Sequence, residues 1–281
     1  MPTCRKEKRK ANRNLLHCLL PQTQAYPSQN QNAIFCQHIT NNTKFGNQLI
    51  KTIMTDNFET FSFGGESPEN YEQKCLCVLV LDVSGSMAGS PIDQLNQGLK
   101  DFQKELQNDF VAAQRIEVAI VTFGSTVDTV VQPKLSSDFE MPTLKTSGST
   151  KLVDGVRMAI NIVDERKNWY KSTGQTYYRP WVMLITDGEP DSDQDVVGLS
   201  NEIQNKVNSK GFSFYAVGVE GYNHSKLLKI CHPSTPPLPL KGLAFNELFK
   251  WLSASISLVS KSVEGQQLQL PPAGGWAQIQ V

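Results

Sequence analysis

Histidine is scarce, at 4 of 281 residues, and the 6 cysteines show no paired spacing of the kind that binds zinc. They lie at positions 4, 18, 36, 75, 77 and 231, too scattered for the disulfide framework of a small secreted domain. A reducing compartment, the cytoplasm, is therefore expected. No apolar stretch approaches the ~20 residues that a bilayer span requires. Charge of one sign is also missing: 27 Lys plus Arg stand against 27 Asp plus Glu. No overall field argues for nucleic acid or an anionic membrane as partner. Neither a G-x-S-x-G nucleophile elbow nor a glycine-rich phosphate loop occurs, so two common enzyme signatures are absent.

Residues 1–53 are rich in Asn and Gln and have no sustained apolar period, so they are expected to be disordered. The basic run from Arg5 to Arg13 precedes an apolar patch, Leu15 to Leu20, that is too short and too polar for a secretory core. A basic run also suits nucleic acid, but nothing further along the chain supports that use. Composition changes at Met54, which reads as a natural start, with 54–71 as a linker.

What is present centres on Cys75 to Met87, CLCVLVLDVSGSM. Seven apolar residues suit a strand buried on both faces of a parallel sheet. The run stops at Asp82, and Ser84, Gly85 and Ser86 follow. A carboxylate and two hydroxyls are thus delivered at the carboxyl end of a strand, where open α/β sheets place their ligand sites. Hard oxygens without Cys or His suit Mg²⁺, Mn²⁺ or Ca²⁺ rather than zinc.

Downstream, Ser90-Pro91-Ile92-Asp93 reads as a helix start with Ser90 as cap, and Ile92, Leu95, Leu99, Phe102 and Leu106 form one apolar stripe. Ile116 to Phe123 reads as a strand. Thr126 to Val131 reads as a short edge strand ending at Pro133. Ser147 to Thr150 is a small-residue loop before a helix bearing Leu152, Val156, Ala159 and Val163. Trp181 to Ile185 is a buried strand that also ends in oxygen donors, Thr186 and Asp187, followed by Gly188. A helix over about 194–210 is stopped by Gly211, and Phe212 to Val219 is a further strand. The four prolines between Cys231 and Leu240 mark a loop or broken edge strand. Phe245, Leu248, Leu252, Ile256 and Val259 mark a last helix, and a tail over 263–281 has room for a short strand pair. Strands alternating with helices over 72–262 predict a doubly wound α/β domain.

The strand-borne Asp82-x-Ser84-x-Ser86, the threonine loop at Thr150 and the Thr-Asp-Gly strand end at Asp187 resemble the metal-ion-dependent adhesion site of the von Willebrand factor type A (VWA) family. The resemblance implies a Rossmann-like, mostly parallel sheet with one short antiparallel edge strand and helices on both faces. It also implies one divalent metal at these five positions. The serines bind it directly, and the threonine and aspartates bind it directly or through water. Such domains are non-enzymatic protein-interaction modules, and the partner supplies an Asp or Glu carboxylate to the metal. The run Phe245 to Ser255 resembles the last helix of small VWA proteins from bacterial tellurium-resistance operons, which implies a stress-response setting.

Other readings compete. Asp82, Ser84 and Ser86 are also ordinary strand-to-helix turn residues, and Thr150 suits a helix cap. Asp191, Asp193, Asp195 and Glu202 match calcium-loop spacing, but Val196 stands where that loop needs glycine. A solvated acidic loop with Asp193 capping a helix is the better reading. A metal-dependent hydrolase or phosphatase on the same site is the rival function. A haloacid-dehalogenase-type phosphatase needs a second carboxylate two residues after the first, however, and Ser84 stands there. Cys231 beside His232 suggests a dyad, yet adjacent loop residues rarely face each other. His224 and His232 are expected to have surface or packing roles.

Overall fold

The computed structural model describes residues 70–263 and 266–277. The readings of 1–53 as disordered and of 54–69 as linker lie outside the described residues. Strand β1, Cys75–Asp82, is buried along its whole length. Its alternate side chains enter different layers: Cys75, Cys77, Leu79 and Leu81 join one core, and Leu76, Val78 and Val80 the other. This two-sided burial is why the sequence shows an unbroken apolar run instead of alternation.

The remaining strands are β2 (Ile116–Phe123), β3 (Val127–Leu135), β4 (Trp181–Thr186), β5 (Ser213–Gly218) and β6 (Leu238–Pro239). Their order is β3-β2-β1-β4-β5-β6. All pairings are parallel except β2 with β3. The sheet is thus mixed but mostly parallel, with helices on both faces, as expected. Helices α1 (Ser90–Asn108), α2 (Phe110–Arg115) and α6 (Phe245–Ser260) cover one face. Helices α3 (Leu152–Thr173), α4 (Val196–Asn208) and α5 (His224–Ile230) cover the other. Helices α1 and α6 meet closely at Gly98, where a Cβ would stand 2.6 Å from the Phe249 ring.

Several local readings need correction. Ser90 is the first helical residue, and Gly89 is the cap, at φ +82°, a region open to glycine. Strand β3 continues past Pro133 to Leu135. Its register against β2 jumps from Val131 to Lys134, so Pro133 lies in a bulge that needs no ladder N–H. Asp195, not Asp193, caps α4, accepting from the Gly198 amide at 2.8 Å. Thr150 does not cap α3; Lys151 holds that position. The left-handed residue after α4 is Lys210 (φ +59°) rather than Gly211. Helices α2 and α5 have no counterpart in the sequence reading, being too short to show a period. Among its described residues the tail forms one antiparallel bridge, Leu240 with Ala277, and buries Trp276 against Trp251, ring centroids 5.2 Å apart. The packed unit therefore extends past residue 262.

Helix α2 illustrates how a polar residue joins two helices of one layer. Asp109 caps it, accepting from the Val111 and Ala112 amides at 3.1 and 3.2 Å. Its other oxygen accepts from Ser257 and Lys261 of the α6 end at 2.9 and 2.6 Å. Burial alone would raise the carboxyl, but the Lys261 ammonium, the amide donor and the Ser257 hydroxyl hold it at about 2. A folded value below the unfolded one stabilises the fold above the ordinary carboxylate range, and that stability is lost as pH falls toward about 2. Asp109→Ala is expected to cost about 1 kcal/mol in urea unfolding at pH 7. The gap between variant and parent should narrow progressively below pH ~4.

Candidate functional site

Helices α1 and α3 lie on opposite faces, so the chain moves outward from β1 to β2 and β3 and then crosses to β4. The switch point of the sheet lies between β1 and β4, and both strands end there at their carboxyl termini. Open α/β sheets carry ligands at this place. Asp82 is the last residue of β1, and Asp187 follows the last residue of β4.

The third loop is sewn onto the first. The Ser147 amide donates to the Val83 carbonyl at 2.6 Å, and the Gly85 amide donates to the Gly148 carbonyl at 3.0 Å. Thr150 is tied to the β4–α4 loop by its amide, donated to an Asp191 side-chain oxygen at 3.2 Å, and by its carbonyl, which accepts from the Asp191 amide at 3.2 Å. All five sequence-predicted residues are thereby brought to one end of the sheet.

Their contacts form a chain. Asp82 is fully buried; its Oδ1 accepts from the Ser84 amide at 2.8 Å, and its Oδ2 accepts from the Thr186 hydroxyl at 2.5 Å. The Ser84 and Ser86 hydroxyls lie 3.0 Å apart, and Ser86 donates to Asp187 Oδ1 at 2.8 Å. Gly188 separates Asp82 from Thr150. A Cβ there would stand 3.2 Å from Asp82 Oδ2 and 3.3 Å from Thr150 Oγ1, so both oxygens face the space that glycine leaves open. The group runs from buried Asp82 and Ser84 to exposed Ser86, so one side meets solvent.

The electrostatics are those of negative charge without compensation. Burial pushes the Asp82 carboxyl up, and the donors Ser84 and Thr186 offset part of this. Burial also raises Asp187; the Ser86 hydroxyl opposes the rise and the neighbouring Asp82 adds to it. Among the described residues, no ion pair involves either carboxylate. Among them, too, no three His, Cys, Asp or Glu side chains gather as a metal cluster. The donor set here is of another kind, two carboxylates and three hydroxyls. Such oxygens fit a hard divalent cation, which would supply the missing positive charge.

The acidic-loop and histidine readings resolve by geometry. The acidic loop residues have separate partners: Asp191 holds Thr150, and Asp195 caps α4 and pairs with Arg157 at 2.8 Å. Glu202 lies 3.5 Å from Arg157. His232 bonds Ser234 and Asn208, at 2.6 and 3.0 Å, while Cys231 is buried in the core, so they form no dyad. His224 bonds the Tyr222 hydroxyl at 3.0 Å. Sequence reasoning missed the roles of Thr186 and Asp191. The Thr-Asp-Gly at the β4 end was the available signal for the first; nothing local marks the second.

The family described as von Willebrand factor type A domain matches residues 77–246. Among solved structures, the pilus adhesin SpaC from Lactobacillus rhamnosus GG, in an open conformation, is similar at a TM-score of 0.52 and 14% identity, over 64% of this chain and 30% of that one. Proximal thread matrix protein 1 from the mussel byssus gives 0.50 and 17%, over 66% and 46%. The vWF domain of the type V pili tip protein Mfa5 from Porphyromonas gingivalis gives 0.50 and 12%, over 69% and 99%. The chain thus spans less than half the length of the first two, and at such identities the likeness is one of fold. No curated protein matches the chain by sequence. The match over more than half of its length shows that the chain belongs to the von Willebrand factor type A domain family.

Proposed function

We propose that the chain is a divalent-metal-dependent protein-interaction module and not an enzyme. Membership of a family of interaction modules supports the interaction part. The metal part rests on one observation: a fully buried carboxylate, Asp82, gathered with Asp187 and the Ser84, Ser86 and Thr150 hydroxyls, with neither carboxylate in an ion pair among the described residues. These five residues would hold Mg²⁺, or Mn²⁺ or Ca²⁺ in its place. A metal bound there would supply positive charge to attract an anionic group.

The protein's own residues do the rest. Ser86, at the exposed end, and Asp187, half-buried, form the solvent-facing side where a partner's Asp or Glu would enter. A carboxylate arriving there makes a charge-assisted contact. The neighbouring Asp191 and Asp193 favour a partner that offers one acidic residue within a neutral or basic surface. In its finer form the reading places the module in a bacterial stress system of the tellurium-resistance kind. Support for this is the likeness of Phe245 to Ser255, which fall within α6.

A pull-down from host extract, run with Mg²⁺ and with EDTA, tests the mechanism. Retention is expected only with Mg²⁺, and Thr150→Ala should weaken it several-fold. Equal retention in both buffers would refute metal-dependent capture. Phosphoester turnover lost in Asp82→Ala would instead identify a metal-dependent hydrolase.

A further inference from the structure

We propose that Thr186 is a positioning residue for the metal-binding carboxylate, its buried hydroxyl fixing the orientation of Asp82 from behind the site. This rests on the metal-site reading above and goes beyond it by adding a residue that is not itself a ligand. Thr186 is fully buried at the end of β4. Its backbone is held in the β4–β5 ladder opposite Gly218, and its carbonyl accepts from the Val219 amide at 2.8 Å. The side chain therefore hangs from a rigid element and not from a loop.

The direction of its hydroxyl is determined by its neighbours. The Gly188 amide can only donate, and it donates to Thr186 Oγ1 at 3.1 Å, using one lone pair. The hydroxyl proton then has two acceptors in reach, Asp82 Oδ2 at 2.5 Å and the Gly188 carbonyl at 3.4 Å. The carboxylate is the nearer and the charged one, and a hydroxyl-to-carboxylate bond falls in this short range. Asp82 Oδ1 is held separately by the Ser84 amide at 2.8 Å. One donor on each oxygen fixes the carboxylate plane. The same turn carries the Ser84 hydroxyl toward Ser86, so rotation of Asp82 would disturb the donors that follow it.

The bracket also sets the spacing to the second arm. Gly188, whose amide completes the relay, leaves the gap between Asp82 Oδ2 and Thr150 Oγ1. Thr186 thus links the carboxylate, the turn and the threonine arm. Partners of this kind, one layer behind the ligands, typically alter metal affinity by about 10–100-fold.

The test is Mg²⁺ titration calorimetry on the full chain and its Thr186 variants, with thermal melting in EDTA run alongside. Thr186→Val keeps the shape and removes the hydroxyl; its affinity is expected to fall about 10-fold or more. Thr186→Ser keeps the hydroxyl and should restore affinity close to the parent's. Thr186→Cys, a weak donor, should fall between them, and if the valine variant does not fold, the order among Thr, Ser and Cys decides. A purely structural role would lower the EDTA melting temperature and leave affinity unchanged, which would overturn the proposal. Serine binding as weakly as valine would also overturn it. A parent chain that shows no Mg²⁺ binding would refute the site reading and this inference with it. A parent that binds while all three variants match it would refute this inference alone.

Discussion

Replacing Asp82 by alanine is expected to abolish measurable Mg²⁺ binding while the protein stays folded. Of the five site residues only Asp82 and Asp187 carry charge, and Asp82 is the one fully removed from water. Without it, one half-buried carboxylate and three neutral hydroxyls remain, a weak set for a hard cation that is reluctant to lose its waters. The fold should survive because the layers on both faces of β1 are apolar and do not include Asp82. Burial raises the Asp82 carboxyl above its ordinary value. The folded, metal-free chain then binds more protons than the unfolded one in the window between those values. Its ionised Asp82 therefore works against folding at neutral pH, and this is relieved as pH falls into the carboxylate range. In EDTA at pH 7 the alanine variant should melt at or above the parent's temperature. Calorimetry that finds parental Mg²⁺ affinity in Asp82→Ala would place the site elsewhere.

Arg166→Ala is expected to be the most destabilising of the substitutions considered, at about 3–5 kcal/mol in urea unfolding. Glu117 is only 3% exposed and set near the start of β2. Arg166 on α3 grips it with two bonds, at 2.8 and 2.7 Å, and the Tyr170 hydroxyl donates to it at 2.6 Å. The guanidinium also lies over the Trp169 ring, 4.0 Å from its centroid. Burial and the adjoining Glu117 both push the Tyr170 phenol up, so it stays a neutral donor across the accessible pH range. Removing Arg166 leaves a buried carboxylate with one neutral partner. The Lys74 ammonium interacts with Glu117 through space but donates to the Gln114 carbonyl at 3.0 Å and makes no direct ion pair with that carboxylate, so it compensates the loss only in part. The double change Glu117→Gln with Arg166→Met should recover much of the loss, since it removes both charges while keeping volume. A single variant that unfolds within 1 kcal/mol of the parent, an amount typical of exposed pairs, would show that the pair contributes no more than a surface bridge.

Much of this was legible in the chain itself. Local composition determined the buried strands, because a strand covered on both faces must be apolar throughout, as Cys75 to Leu81 and Trp181 to Ile185 are. It determined the stripes of α1 and α6, whose expected residues Leu95, Leu99, Phe102, Leu248, Leu252 and Ile256 are all buried. It also placed five oxygen-bearing residues at strand ends and in one loop, since such ends are where polar residues can interrupt an apolar pattern.

Tertiary structure alone decided the rest. No local signal states that β4 lies beside β1, yet that neighbour relation is what brings Asp187 within 2.8 Å of Ser86 across 101 positions of sequence. The caps that the fold selects lie one residue before Ser90 and two residues after Asp193. Several Asp, Ser and Gly residues there satisfy the same capping chemistry, and only the backbone path selects Gly89 and Asp195. Nothing local marks Trp276 as buried, because Trp251, its ring partner, and Leu240, which bridges to Ala277, lie tens of residues away. The same holds for Thr186, an ordinary strand-end residue until the fold sets its hydroxyl against Asp82, 104 positions earlier. Periodicity and strand-end chemistry are local and can be read along the chain. Which ends meet depends on packing the two layers around one sheet, a property that no single stretch contains.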